Sequence, residues 1–283
     1  MRKEKIRATD FSNRERPKDR LHQFGDIFKH RFLELIKLSL LQAIFLMPLS
    51  VSFVLFWIFI KQASATNNPN AVFTVVMFQA LSFLISIPVL YIGLTGVFFC
   101  LKKMAYAEGE YAASSFFIGL KEEWARGLVI GILPAVSAFL ALFGGFMSYI
   151  YLPSINTVLA GLAFAILIIQ FLLIYMHSYY CLGQITVYSN KMRFVYKNAM
   201  IMMLLRFPYN LLFIIVHPCI YVASLLIIDI SMYVGVVLFM FTCVFGHLIW
   251  VLNVLGAFDK YINKENNLEI YRKGLRPLED KEG

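Results

Sequence analysis

The sequence predicts an all-α fold, a polytopic membrane bundle of six transmembrane helices with both termini in the cytoplasm. Of its 283 residues, 60% are hydrophobic and only 15% are charged, whereas soluble domains average roughly 45 to 50% apolar and about 25% charged residues. Six stretches are long enough to cross a hydrocarbon core, which needs roughly 20 apolar helical residues. Lysine and arginine also lie almost entirely on one side of these stretches. Together the three observations indicate a helical membrane domain.

The six predicted spans are continuously apolar, with no alternation of apolar and polar residues. Continuity of this kind excludes a membrane-spanning β-barrel, whose strands alternate in polarity. The second and fourth stretches exceed what a perpendicular crossing needs, so tilt or kinking is expected there. The spans are predicted at residues 38–60, 71–100, 127–149, 158–188, 199–228 and 230–258.

Three segments follow from this division of the chain. Residues 1–37 form a basic cytoplasmic segment, residues 38–258 form the membrane domain, and residues 259–283 form a cytoplasmic tail. Within the first segment, apolar side chains recur near a 3.6-residue period between Asp19 and Lys37, which predicts an amphipathic helix in the membrane interface. Its predicted apolar face comprises Leu21, Phe24, Ile27, Phe28, Phe32 and Leu35.

Charge predicts the orientation, because cytoplasmic loops retain lysine and arginine. The N-terminal segment, the connections at 101–126 and 189–198, and the tail hold 24 of the 26 basic residues. The exceptions are Lys61 and Arg206. Basic residues placed this way indicate contact with anionic lipid headgroups, and not with nucleic acid.

Prolines mark candidate kinks and a weak internal repeat. Three times an aromatic and basic segment leads into a proline, at Pro48, Pro134 and Pro208, and a returning helix follows. The bundle is therefore compatible with three tandem helical hairpins, although apolar composition also produces such matches by chance. Since proline removes a helical hydrogen bond, the candidate kinks are Pro88, Pro134, Pro208 and Pro218.

Polar residues inside the predicted spans are the candidate functional positions, because a polar group in a bilayer is costly. Arg206 is expected to extend toward the headgroups, with a buried ion pair as the alternative. Asn210 and Gln170 are expected to hydrogen-bond neighbouring helices. The full set is Gln42, Gln79, Gln170, His177, Arg206, Asn210, His217, Asp229, His247 and Asn253.

No chemical machinery is predicted from these residues. His177, His217 and His247 lie on three spans at different depths, so interhelical hydrogen bonds are favoured over a shared metal site. Residues 127–228 contain no Asp or Glu, which argues against ion-coupled transport. P-loop, zinc-protease and serine-hydrolase motifs are also absent from the sequence. We therefore expect no enzyme, no cofactor and no metal.

Much of the chain resembles the YesL-like family of bacterial multi-pass membrane proteins. The resemblance rests on Pro88 with the GLTG run at 93–96, on SSFFIGLKEEWARG at 114–127, on YYCLGQITVY from Tyr179, and on VYKNAMIMMLLRFPYN from Val195. Glu123 stands where that family often has an amide. The resemblance implies a multi-pass protein of the bacterial cell membrane that is encoded beside carbohydrate-uptake ABC transporters and polysaccharide-degradation genes.

Three functions compete at this stage. The resemblance implies a non-catalytic accessory or regulatory subunit of an oligosaccharide ABC importer, with its permease subunits as partners. The proline-interrupted spans fit an independent small-solute transporter or channel. The basic, amphipathic N-terminal segment fits a lipid-interacting or signalling module whose partners are membrane lipids.

Overall fold

The computed structural model describes residues 16–66, 68–108, 111–151, 156–214 and 232–277, with the backbone alone for residues 151 and 232–243. Every regular element in these ranges is helical, so the all-α prediction is confirmed. The helices are α1 (Arg20–His30), α2 (Phe32–Ala65), α3 (Pro69–Ala105), α4 (Ala112–Tyr151), α5 (Thr157–Val187), α6 (Met192–Leu205), α7 (residues 207–214) and α8 (Met232–Phe258). A π-helical turn, Asp259–Asn263, continues α8.

Four of the helices, α2 to α5, are long and apolar enough to cross a membrane. They correspond to the first four predicted spans. The fifth and sixth predicted spans, at 199–228 and 230–258, extend beyond the residues whose side chains the structure describes. Within 199–214 the chain does not form one helix, because α6 ends at Leu205 and Arg206 interrupts the helical backbone with φ −111° and ψ 19°. The break precedes Pro208, which cannot supply a helical N–H.

The predicted amphipathic helix divides into two helices. Asp19 caps α1 by accepting a hydrogen bond of 2.8 Å from the backbone N–H of His22, and this bond lowers the pKa of the Asp19 carboxyl. The first helix ends at His30, Arg31 caps it, and α2 begins at Phe32. Ile27 of the predicted apolar face is buried in the core, whereas Leu21 is 81% exposed. One part of the predicted apolar face therefore packs against the bundle, and another part is exposed on its surface.

Glycines allow α3 and α4 to pack closely along most of their length. A Cβ atom added at Gly131 would lie 2.8 Å from Cβ of Tyr91 and 2.9 Å from Cα of Pro88. One added at Gly127 would lie 2.4 Å from Cγ2 of Thr95. Since real side chains do not approach this closely, small residues at these positions set the distance between the two helices.

The predicted hairpins do not form separate packing units. α3 follows α2 through a short turn near Asn68, yet its most extensive packing is against α4. α8 packs against α2, α3 and α5 and so closes the bundle. Its Trp250 is fully buried among aromatic rings, 5.1 Å from the ring centre of Tyr179. A continuous core therefore joins residues far apart in sequence.

The ends of the described chain meet at one end of the bundle, which we call the basic end. Arg20 of α1 forms a 2.6 Å ion pair with Asp259, and each side chain is only 11% exposed. The amide of Gln23 donates to the carbonyl oxygen of Ala105 at 2.5 Å. Lys273 pairs with Glu108 at 2.6 Å. The N-terminal helix, the α3–α4 connection and the C-terminal segment are thus bound to one another.

Gly274 makes this junction possible. Its φ of +81° is a left-handed conformation that favours glycine. A Cβ atom there would lie 1.9 Å from the carbonyl oxygen of Ala105. The C-terminal segment can therefore pass directly over the end of α3 only with glycine at this position.

Candidate functional site

Two groups of hydrogen-bonded side chains lie between the helices and involve several predicted polar residues. The histidine chain comprises Gln42, His247, Tyr179 and Tyr175. The asparagine cluster comprises Tyr180, Asn210, Asn253 and Arg206. Each group contains one of two adjacent tyrosines on α5: Tyr179 belongs to the histidine chain and Tyr180 to the asparagine cluster. Helix α5 therefore contributes to both groups.

The histidine chain connects α2, α8 and α5. Nε2 of Gln42 lies 2.8 Å from Nε2 of His247, and Nδ1 of His247 lies 2.9 Å from the hydroxyl of Tyr179. An amide nitrogen can only donate, so Nε2 of His247 accepts and its Nδ1–H donates to Tyr179. The hydroxyl of Tyr175 donates to the same tyrosine at 3.0 Å. Gln42, His247 and Tyr179 are buried, and the chain links three helices.

The asparagine cluster stabilises the break between α6 and α7. Oδ1 of Asn210 accepts from the Tyr180 hydroxyl at 2.9 Å and from Nδ2 of Asn253 at 3.0 Å. Nδ2 of Asn210 donates to the Met203 carbonyl at 3.0 Å, and Nη1 of Arg206 donates to the carbonyl and Oδ1 of Asn253 at 2.8 and 3.0 Å. Asn210 is fully buried, so it replaces helical hydrogen bonds that the break removes.

The predicted histidines do not share a partner. His177 is buried, and its Nε2 lies 3.0 Å from the carbonyl oxygen of Tyr196. Its ring stacks on Tyr196 and approaches Cys181, whose Sγ lies 3.7 Å from Nε2. His247 belongs to the histidine chain, whereas His217 lies outside the described residues. Among the described residues, no three His, Cys, Asp or Glu side chains come together as metal ligands.

The remaining predicted positions have different surroundings. Gln170 is partly exposed on α5. Pro88 and Pro134 lie inside α3 and α4, which continue past them. Pro208 opens α7 after the break, and Pro218 lies outside the described residues.

The tyrosines that connect these groups were not among the predicted positions. Tyr179 and Tyr180 are fully buried, and a buried tyrosine hydroxyl usually has a hydrogen-bond partner. Tyr91 illustrates the same rule, because its hydroxyl is hydrogen-bonded to Ser178. The signal in the sequence was the presence of three tyrosines, at 175, 179 and 180, inside an apolar stretch, while other apolar stretches carry glutamine, histidine and asparagine.

Two cavities lie at the basic end. One has room for about one water molecule, about 20 Å³, beneath α1 beside Gln23, Ile27 and Gly274. The other is an open cleft of about 490 Å³ between the α5–α6 connection and the C-terminal segment, lined by Tyr188 and Ile262 among others. Neither cavity is lined by residues of the histidine chain or of the asparagine cluster.

Replacing Asn210 by leucine is expected to destabilise the protein by about 2 kcal/mol. The change leaves the Tyr180 hydroxyl, the Asn253 amide and the Met203 carbonyl short of a partner, and each unsatisfied buried group costs about 1 to 3 kcal/mol. The measurement is the free energy of unfolding in detergent. Gln170→Leu is the matched control and should change stability by less than about 0.5 kcal/mol. Equal effects of the two variants would contradict this role for Asn210.

Comparisons with protein-family models, with curated proteins and with solved structures found no match to this chain.

Proposed function

We propose that this protein is a non-catalytic membrane subunit that packs against another helical membrane protein through the outer half of α5. A pair of small residues, Gly161 and Ala165, carries this proposal. They lie about one turn apart on α5, and both are exposed. Around a Cβ added at Gly161, no described atom lies within 4 Å. Small residues one turn apart allow two spanning helices to approach closely.

Several other glycines in the long apolar helices already have a side chain from another helix of the protein packed against them. A Cβ atom at Gly93 would lie 2.5 Å from Phe45, and one at Gly183 would lie 2.4 Å from Val254. Around Gly161 the surface is instead open and apolar, since Leu162 and Ile166 are 58% and 65% exposed. A helix of another membrane protein could therefore pack against α5 at this surface.

The interior of the bundle favours a structural role. Within the histidine chain, and likewise within the asparagine cluster, the side chains hydrogen-bond to one another. Their described side chains are amides, tyrosine hydroxyls, one imidazole and one guanidinium, and the hydrogen bonds among them connect different helices. This arrangement supports a subunit that assists assembly or regulation.

The proposed partner is a permease subunit of an oligosaccharide ABC importer in a bacterial cell membrane. The partner's identity rests on the resemblance to the YesL-like family. In this proposal the chain crosses the membrane six times and the basic end faces the cytoplasm, because 24 of 26 basic residues fall on that side of the predicted spans.

Substitution of Gly161 by leucine tests the proposal. We expect the variant to remain folded, since no described atom occupies the space, and to lose most of the partner recovered with the wild-type chain in mild detergent. Gly25→Leu is the matched control, because a Cβ at Gly25 also meets no described atom within 4 Å. Recovery of the same partner with both variants, or purification of the wild type alone, would contradict the proposal.

An independent small-solute transporter or channel is the second candidate. The break at Arg206 favours it, because transporters often contain discontinuous helices. Flux measured in proteoliposomes distinguishes the two. Transport by the chain alone, unaffected by Gly161→Leu, would favour this alternative over the subunit role.

A further inference from the structure

Arg206 carries a positive charge that the described part of the chain does not neutralise. Its Nη1 donates to the carbonyl and to Oδ1 of Asn253, which are both neutral acceptors. No carboxylate in the described ranges lies within ion-pair distance of it. A guanidinium stays protonated in proteins, so a ligand of negative charge would compensate it.

One edge of the guanidinium is available for such a ligand. Two of its five N–H donors are used at Nη1, which leaves the donors on Nε and Nη2. These two nitrogens form an edge that matches two oxygens of one phosphate. Asn253 fixes the opposite side of the group and is itself held by Asn210. The free edge is therefore oriented before any ligand binds.

The surroundings of this edge are those of the membrane interface. Leu204 and Leu205 are 58% and 53% exposed, and the Tyr209 ring lies 5.5 Å from Cζ of Arg206. Tyrosine is enriched where the hydrocarbon core meets the headgroups. Asn253 precedes the end of α8 at Phe258 by five residues, or about 7.5 Å along a helix. In the proposed orientation the end of α8 lies at the membrane surface, and this distance then places Arg206 at the boundary between headgroups and acyl chains.

Helix α1 borders the same place. A Cβ atom built on Gly256 would lie 3.3 Å from Nη1 of Arg206 and 3.7 Å from Cγ of Arg20. Arg20 is already paired with Asp259, so Arg206 is the one of the two arginines that remains available to an anion. The exposed Phe28 of α1 adds apolar surface on the same end of the bundle.

We propose that Arg206 binds the phosphate of an anionic phospholipid headgroup at the basic end of the bundle. The Nε–Nη2 edge holds the phosphate oxygens, Tyr209 flanks the headgroup, and Leu204 and Leu205 lie against the acyl chains. Inorganic phosphate has the same charge chemistry but lacks the chains. This site does not depend on the proposed partner of α5.

The test is titration of the purified full-length chain with phosphatidylglycerol or phosphatidylcholine, with bound lipid counted by native mass spectrometry. We expect Arg206→Gln to weaken phosphatidylglycerol binding about tenfold, the loss of one strong charge-assisted contact. Arg206→Lys, which keeps the charge without the fork, should weaken it about threefold. Arg126→Gln is the control, because Arg126 pairs with Glu123 at 3.3 Å on α4. It should leave binding unchanged.

Several outcomes would overturn the site. Unchanged binding in Arg206→Gln would mean that Arg206 does not bind the lipid. An equal loss in Arg126→Gln would mean that lipid responds only to overall charge. Competition by millimolar inorganic phosphate would mean a free-anion site. Loss of a bound membrane protein in Arg206→Gln with lipid binding intact would mean that a partner carboxylate occupies the edge. If Arg206→Gln does not fold, wild-type affinity in Arg206→Lys would equally contradict the proposal.

Discussion

Gly131→Leu is expected to destabilise the bundle by about 3 kcal/mol, the upper end of what overpacking typically costs. The leucine side chain would meet Cβ of Tyr91 at 2.8 Å and Cα of Pro88 at 2.9 Å. Both atoms belong to rigid parts of α3 and cannot rotate away. The helices must therefore separate, which disrupts the most extensive helix contact in the described fold.

The measurement is the free energy of unfolding of the purified chain in detergent. Two glycines provide graded controls. Gly144→Leu faces the flexible end of Leu167, 3.0 Å from its Cβ position, and should cost less. Gly161→Leu meets no described atom and should cost least. If all three variants have the same stability, close α3–α4 packing does not set the fold.

Asp259→Leu is expected to destabilise the chain by about 3 kcal/mol or more, because it leaves Arg20 as an unpaired charge in a largely buried position. The carboxylate also accepts hydrogen bonds from the backbone N–H of Arg272 at 3.1 Å and from Nδ2 of Asn263 at 3.0 Å. Loss of these contacts should release α1 and the C-terminal segment together. Unfolding free energy and limited proteolysis of both segments measure the effect.

A second substitution separates the unpaired charge from the ion pair itself. Arg20→Met combined with Asp259→Leu removes both charges, and the double variant should be more stable than Asp259→Leu alone. Glu123→Gln is the control, since the Glu123–Arg126 pair lies within one helix and its arginine is 38% exposed. It should cost less than about 1 kcal/mol. A double variant less stable than the single one would contradict this account.

Hydrophobic patterning determined much about this protein without tertiary information. The helical class and four helices long and apolar enough to cross a membrane followed from apolar stretches, because a chain in lipid must satisfy its backbone within helices. Residues 199–228 were predicted as one span with candidate kinks at Pro208 and Pro218, and in the described part of that span the helix breaks at Arg206, two residues before Pro208. A hydropathy pattern does not change when an apolar helix breaks, and Asn210 stabilises that break through groups on α5 and α8.

The tertiary structure alone decided which polar residues meet. Gln42 and His247 are 205 positions apart in sequence, yet their nitrogens lie 2.8 Å apart. Arg20 and Asp259 are brought together over a similar separation. Sequence periodicity specifies which face of a helix is polar, whereas the neighbour of that face depends on how helices pack. Composition therefore predicted the helical class and the long apolar helices, whereas the packing of those helices decided which polar side chains meet.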